Sequence, residues 1–219
     1  MSRPSLPFCL CLCFAASTTL GCDERGIRVG TEELCVLDAE LRIAQVGSTE
    51  SLSTCATIGE NQLKNADFEA PSCESEFFFC QFPTADMGGW ETSSEAQVIE
   101  LWMDGHRGVP APQGTQFAEL DANTPDTIWQ DVELPPGQLM YWSFLHRGRN
   151  GLEEVELMLG PPRATVSQGV FESPTDAWYP YSGLYRTGAD ETVTRFALVS
   201  LSGAAEGNLV DSIVFAPVD

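Results

Sequence analysis

The segment Gln97–Gly151, QVIELWMDGHRGVPAPQGTQFAELDANTPDTIWQDVELPPGQLMYWSFLHRGRNG, decides the fold. Four strand-like runs occupy it: Gln97–Met103, Thr115–Leu120, Thr127–Glu133 and Gln138–His146. Between them lie DGHRGVPAPQG, DANTPD and LPPG, turn clusters in which Gly, Pro, Asn and Asp set the backbone bends. Short punctuated strands, with no apolar periodicity of helix length, predict an all-β protein built as an antiparallel β-sandwich. The same segment holds both histidines, His106 and His146, and three of the five tryptophans, Trp102, Trp129 and Trp142. A binding surface is expected here first.

Five further strands are expected at Glu154–Leu159, Ala164–Phe171, Gly183–Arg186, Thr192–Leu201 and Asn208–Ala216. In EVELML, Val155, Leu157 and Leu159 alternate with Glu154, Glu156 and Met158, the pattern of a strand with one wet face. Roughly 155 residues from Gln62 onward suffice for one domain with a real core.

The wording of the chain carries a resemblance as well. IELW-DG--GVPA--G-QFAELDAN, W-QDVELPPG and SF-HRGR-G resemble galactose-binding-like (jelly-roll) β-sandwich domains of bacterial surface lipoproteins, related to the carbohydrate-binding modules of glycosidases. NADFEAP (Asn65–Pro71) is similar to their N-G-D-F-E opening strand, with Ala66 in place of glycine. GNLVDSIVF (Gly207–Phe215) is similar to their closing strand, with Ser212 in place of a second aspartate. The match runs over most of the chain beyond Gln62 and implies a jelly roll at 62–219 with a short N-terminal extension at 22–61. It also implies that the first and last strands pair and that a structural Ca²⁺ sits near their ends, held by Glu69 and Asp211 with backbone carbonyls. Alternatively these two acids cap strands or meet an arginine.

The amino terminus, MSRPSLPFCLCLCFAASTTLGC, has one arginine, an apolar core and small residues before Cys22. Residues 1–21 read as a signal peptide. Thr19-Leu20-Gly21-Cys22 resembles a lipobox, which implies acylation of Cys22 and attachment to the bacterial cell envelope, at the outer membrane or cell surface, through a lipid anchor; the alternative is a secreted protein. The apolar run is too short to span a bilayer.

Without residues 1–21 the chain has ten Lys and Arg (11 minus Arg3) against 32 Asp and Glu, a formal charge of −22. Such a balance argues against nucleic acid, whose phosphates need clustered cations, and against electrostatic docking on anionic lipid.

Of eight cysteines, Cys9, Cys11 and Cys13 lie in the signal peptide and Cys22 is the lipidation site. Cys35, Cys55, Cys73 and Cys80 remain as disulfide candidates in an oxidising compartment. Three pairings are open; Cys35–Cys55 and Cys73–Cys80 are favoured because each closes a local loop. None of the four has the C-x-x-C spacing of a zinc ribbon. TEELCVLDAELRIAQVG, starting at Thr31, reads either as a strand pair or as a short helix.

Two groups of residues are candidates for ligand binding. Glu100, Glu119, His146, Arg147 and Arg149 are polar within apolar strands; Arg147 and Arg149 are two apart and project to one side if the strand continues. An arginine fork can take a carboxylate or two adjacent hydroxyls of a sugar, or else lock neighbouring strands to Glu119 or Glu100. Among aromatics, Trp142 and Phe144 are expected in the core, as is Trp90. WYPYSGLY (Trp178–Tyr185) reads as a loop whose Trp178 and Tyr181 either stack on sugar rings or seal one end of the sandwich. Trp102 completes the set.

Catalytic patterns are missing: no H-E-x-x-H, no G-x-S-x-G, no P-loop and no cysteine expected to stay free. The expectation is a non-catalytic envelope lipoprotein whose sandwich takes carbohydrate, such as a cell-surface glycan. The alternative is a structural or adhesive protein that contacts only other proteins.

Overall fold

All four strands expected within Gln97–Gly151 form, with no boundary displaced by more than two residues. The computed structural model describes residues 58–122, 124–201 and 207–218, together with the backbone of three short strands at 11–12, 33–35 and 55–57. The chain divides into two units, one of residues 1–59 with 218–219 and one of residues 60–217. The smaller unit contains β1 (Cys11–Leu12), β2 (Glu33–Cys35) and β3 (Cys55–Thr57), an antiparallel sheet in the order β1-β2-β3. Glu33–Cys35 is therefore strand rather than helix. The register sets Cys35 opposite Cys55. Their proposed bridge, like acylation at Cys22, lies outside the described residues.

The larger unit is a β-sandwich of eleven strands. β4 (Phe79–Pro83), β5 (Glu91–Thr92), β6 (Val98–Met103), β7 (Gln116–Glu119) and β8 (Thr127–Glu133) come first. They are followed by β9 (Leu139–Gly148), β10 (Glu153–Gly160), β11 (Val166–Ser173), β12 (Tyr179–Arg186), β13 (Val193–Ser200) and β14 (Asn208–Pro217). One sheet has the order β11-β10-β13-β8-β5 and the other β12-β9-β14-β7-β6-β4, each antiparallel throughout. Alternation sends Ile99 and Leu101 of β6, Val155, Leu157 and Leu159 of β10, and Phe196 and Leu198 of β13 into a single core around Trp90, Phe68 and Phe215. Trp142 and Phe144 of β9 join it, as expected.

Two expectations are corrected. The segment Trp178–Tyr185 is not a loop: residues 179–186 form β12, paired with β9 from Tyr179↔His146 to Arg186↔Leu139. Gly183 makes that pairing possible, since a Cβ there would lie 2.4 Å from the Trp142 ring. The opening motif is not a regular strand either. Asn65 and Phe68 have φ of 47° and 53°, and the Phe68 amide donates to the Asn65 carbonyl at 3.2 Å, closing a turn. Pairing with the last strand is nonetheless achieved through single contacts: Gln62 N to Phe215 O (2.8 Å), Ile213 N to Ala66 O (2.9 Å), and an Asn61 side chain bridging Ile213 O and Phe215 N. Two strands come in addition to those expected, β4 and the short β5; FFFCQF lacks alternation, and β4 pairs with β6 at the sheet edge, where its Cys80 forms the favoured bridge to Cys73.

Candidate functional site

The face of the six-stranded sheet turned away from the core carries Trp102, Glu100, Glu119, Arg147 and Arg149 from the residues singled out above. Its geometry follows from strand register. Glu100 of β6 lies opposite Glu119 of β7, Glu119 opposite Leu209 of β14, and Leu209 opposite Arg147 of β9. In the neighbouring row Phe79 of β4, Trp102 of β6 and Phe117 of β7 are successive partners. Trp102, Phe117, Leu209 and Val109 form a second apolar cluster on this face, with Ala111 and Trp178 packed against it.

Trp102 is the hub. Its indole Nε1 donates to Glu100 Oε1 at 2.6 Å, and Gln81 Nε2 donates to Glu100 Oε2 at 2.9 Å. The Arg149 guanidinium lies 4.8 Å from the Trp102 ring centroid and that of Arg107 5.9 Å, while the His106 ring meets it edge-on at 4.3 Å. Cation–π contacts of this kind hold an arginine in place without neutralising it. Arg149 Nη1 also bonds Glu119 Oε1 at 2.5 Å. Of the two readings open for the arginines, a strand-locking network thus applies to Arg149. Because Trp102 and Glu119 are each only 1% exposed, both support the face from beneath.

Burial decides the electrostatics. The Glu119 carboxyl is pushed up to about 8, mainly by desolvation and further by its hydrogen bond with Glu100, against the opposing pull of Arg149. Burial thus favours the protonated form of Glu119. His106 is lowered by burial and then by Arg107, against the opposing pull of Glu100.

Around this hub the rim is accessible. Trp178 is half-buried; its ring meets Phe117 edge-on at 5.2 Å and its Nε1 donates to Pro110 O at 2.8 Å. Arg107 is exposed, in the turn His106–Gly108 between Gly105 and Gly108. It takes φ 50°, a left-handed conformation uncommon for a residue with a Cβ. Phe77, Phe78 and Phe79 are 67%, 50% and 37% exposed, and Phe78 too is left-handed at φ 64°. Phe79 faces His106 at 5.8 Å.

The structure splits the residues expected to bind ligand. Trp102, Glu119, Arg147, Arg149 and Trp178 share this outer face. His146 and Tyr181 are turned to the interior between the sheets, because His146 is the partner of core residue Val210 and Tyr181 the partner of Phe144. His146 is fully buried, with Nε2 2.7 Å from Asn208 Oδ1, and desolvation depresses its pKa to about 4. The Tyr181 hydroxyl donates to Glu172 O at 2.5 Å and lies 3.1 Å from Ser173 Oγ, closing the edge between β11 and β12. Phe79, His106 and Arg107 were missed as site residues. Their only sequence signal is a run of aromatics and a Gly-flanked His-Arg, neither of which says that β4 pairs with β6.

A second acidic site lies where the opening segment meets β14. Glu69 accepts from Thr115 N (2.8 Å), Thr115 Oγ1 (2.7 Å) and Gln116 N (3.1 Å). Gly114 allows this approach: at φ 63°, a Cβ there would fall 2.1 Å from Glu69 Oε1. Asp211 is fully buried; its Oδ1 accepts from Ser212 N at 2.6 Å and its Oδ2 has no hydrogen-bond partner. Burial pushes its carboxyl up to about 8, with Glu69 and Asp67 adding repulsion. An orphaned buried carboxylate oxygen facing further acids suits a hard cation, although among the described residues no group of three or more His, Cys, Asp or Glu is arranged to hold a metal on side chains alone.

No family model matches the chain, and no curated protein matches it. Solved structures do. A family 61 carbohydrate-binding module in complex with β-1,4-galactotriose aligns with a TM-score of 0.47 at 17% identity, covering 72% of this chain and 98% of that one. The CBM22-1 xylan-binding domain of Paenibacillus barcinonensis Xyn10C gives 0.48 at 14% identity, covering 74% and 96%. The C-terminal family 22 module of Clostridium thermocellum Xyn10B gives 0.47 at 11%, covering 66% and 95%. The β-sandwich stands on this chain's own two antiparallel sheets, and its site on this chain's own residues.

Proposed function

We propose that this protein is a non-catalytic carbohydrate-binding domain whose ligand lies across the outer face of the six-stranded sheet. The observation that carries the reading is the contrast between rim and floor on that face. Trp178, Phe79 and Arg107 are accessible, while Trp102, Glu100, Glu119 and Arg149 beneath them are locked by mutual hydrogen bonds and ion pairing. Aromatic faces bind sugar rings through C–H contacts, and guanidinium forks bind vicinal hydroxyls. A fixed floor lowers the entropic cost of holding such groups in place. Glu100 and Glu119 are the acids best placed to act as a pair, but buried under Trp102 and Arg149 they offer no access to a glycosidic bond.

Attachment to the bacterial envelope through acylated Cys22 would present this face at the cell surface; mass spectrometry of the mature N-terminus should find a diacyl- or triacylglyceryl cysteine. A structural Ca²⁺ on Glu69 and Asp211 would join the opening segment to β14 by screening their repulsion. The functional reading is tested on a glycan array with the protein and its Trp178→Ala and Arg147→Ala variants. Binding to at least one glycan class, weakened tenfold or more by either substitution with the melting curve unchanged, supports it. Failure to bind any glycan refutes it in favour of a protein-contacting role.

A further inference from the structure

The cations of this face are out of keeping with the rest of the molecule. Across residues 60–217 the basic side chains are Lys64, Arg107, Arg147, Arg149, Arg163, Arg186 and Arg195, in a chain of formal net charge −21. Four of the seven occur on or beside the outer face of the six-stranded sheet: Arg107, Arg147 and Arg149 toward one end, and Arg186 of β12 at the other end, where it donates to Gly137 O. Arg149 is paired with Glu119. No described carboxylate pairs with Arg107 or Arg147, and the buried Arg147 Nε has no hydrogen-bond partner. Opposite them, Glu100 and Glu119 lie in cross-strand register, and Asp104 at the end of β6 is engaged by the Ala111 amide at 2.8 Å.

We infer that the ligand of this face is an acidic glycan, its uronate carboxylate held by Arg107 and its ring packed on Phe79. This rests on the carbohydrate reading above and specifies the class of sugar. The Arg107 guanidinium is exposed yet anchored within 5.9 Å of the Trp102 centroid, so its fork is oriented before a ligand arrives. Phe79 stands beside it across His106, whose ring is 5.8 Å from Phe79 and 4.3 Å from Trp102. The backbone on both sides is held for this display. The Phe78 carbonyl accepts from Met103 N at 2.9 Å, its amide donates to Ser75 O at 3.1 Å, and Cys73–Cys80 ties the base of the tip. Two left-handed residues with bulky side chains, Phe78 and Arg107, flank the site from separate segments, and such conformations persist where neighbouring structure imposes them. A neutral sugar leaves the Arg107 charge unanswered; a carboxylate accepts it bidentately and matches the geometry of the fork. Elsewhere the acidic surface repels such a ligand, which confines it to this face.

The test compares uronate-containing oligosaccharides with their methyl esters, which keep the sugar and remove the charge, by calorimetric titration of the full-length protein. At least one acid should bind tenfold or more tightly than its ester at 50 mM salt, with the advantage shrinking at 500 mM. Arg107→Ala should erase the difference between acid and ester, and Arg107→Lys should restore it in part. Phe79→Ala should weaken both alike. Equal affinity for acid and ester in the parent protein, or an acid preference unchanged by Arg107→Ala, overturns the inference while leaving carbohydrate binding intact. Absence of binding to these sugars alongside binding to neutral glycans on the array does the same. Absence of binding to every sugar removes both readings together.

Discussion

Replacing Glu119 by glutamine tests the electrostatics of the floor directly. The carboxyl ordinarily titrates near 4.5 and in the folded protein is pushed up to about 8. Between those values the folded state binds a proton that the unfolded state has released. Stability from this group is therefore complete below about pH 4.5 and is lost as the pH rises through 8. The interval of about 3.5 pH units (8 minus 4.5), at about 1.4 kcal/mol each, sets an upper bound of about 5 kcal/mol. Because a buried site relaxes and admits water around a charge, we expect a change of about 2–3 kcal/mol, or roughly 5–10 °C in melting temperature for a domain of this size. Glu119→Gln keeps the shape of the neutral acid and cannot ionise. Thermal or urea unfolding at pH 5, 7 and 9 should show the variant gaining on the parent protein as pH rises. Only the pH dependence of the difference matters, so any constant cost of the substitution drops out. Parallel curves from pH 5 to 9 would show that Glu119 ionises normally.

Two further outcomes follow from the second acidic site. Calcium should raise the melting temperature, by linkage about 2.7 kcal/mol at 100 times its dissociation constant; EDTA, Glu69→Gln and Asp211→Asn should each remove that gain, and indifference to calcium after stripping refutes the site. Gly114→Ala should destabilise the fold by about 1–3 kcal/mol, because its Cβ would displace the Glu69 carboxylate that caps the Thr115 and Gln116 amides and would strain a left-handed position. A neutral outcome in chemical denaturation would mean that Glu69 can shift at no cost.

The sandwich itself was legible because its causes are local. Alternation in EVELML, turn clusters such as LPPG and the short reach from Cys73 to Cys80 act over a few residues, and the strands and the bridge appear where those signals put them. The site was legible only in part. Glu100, Glu119, Arg147 and Arg149 stand out as charges within apolar runs, and Arg149 does meet Glu119. His146 and Arg147, by contrast, are adjacent polar residues on one strand, and alternation alone cannot say which of them faces the core. That is decided by register with β14, where His146 meets Val210 and Arg147 meets Leu209, residues more than sixty positions away; a slip of one would exchange their fates. Phe79 and Arg107 lie beyond any local rule for the same reason. What brings them together is the pairing of β4 with β6 at the sheet edge, a long-range contact whose energy no window of the sequence contains.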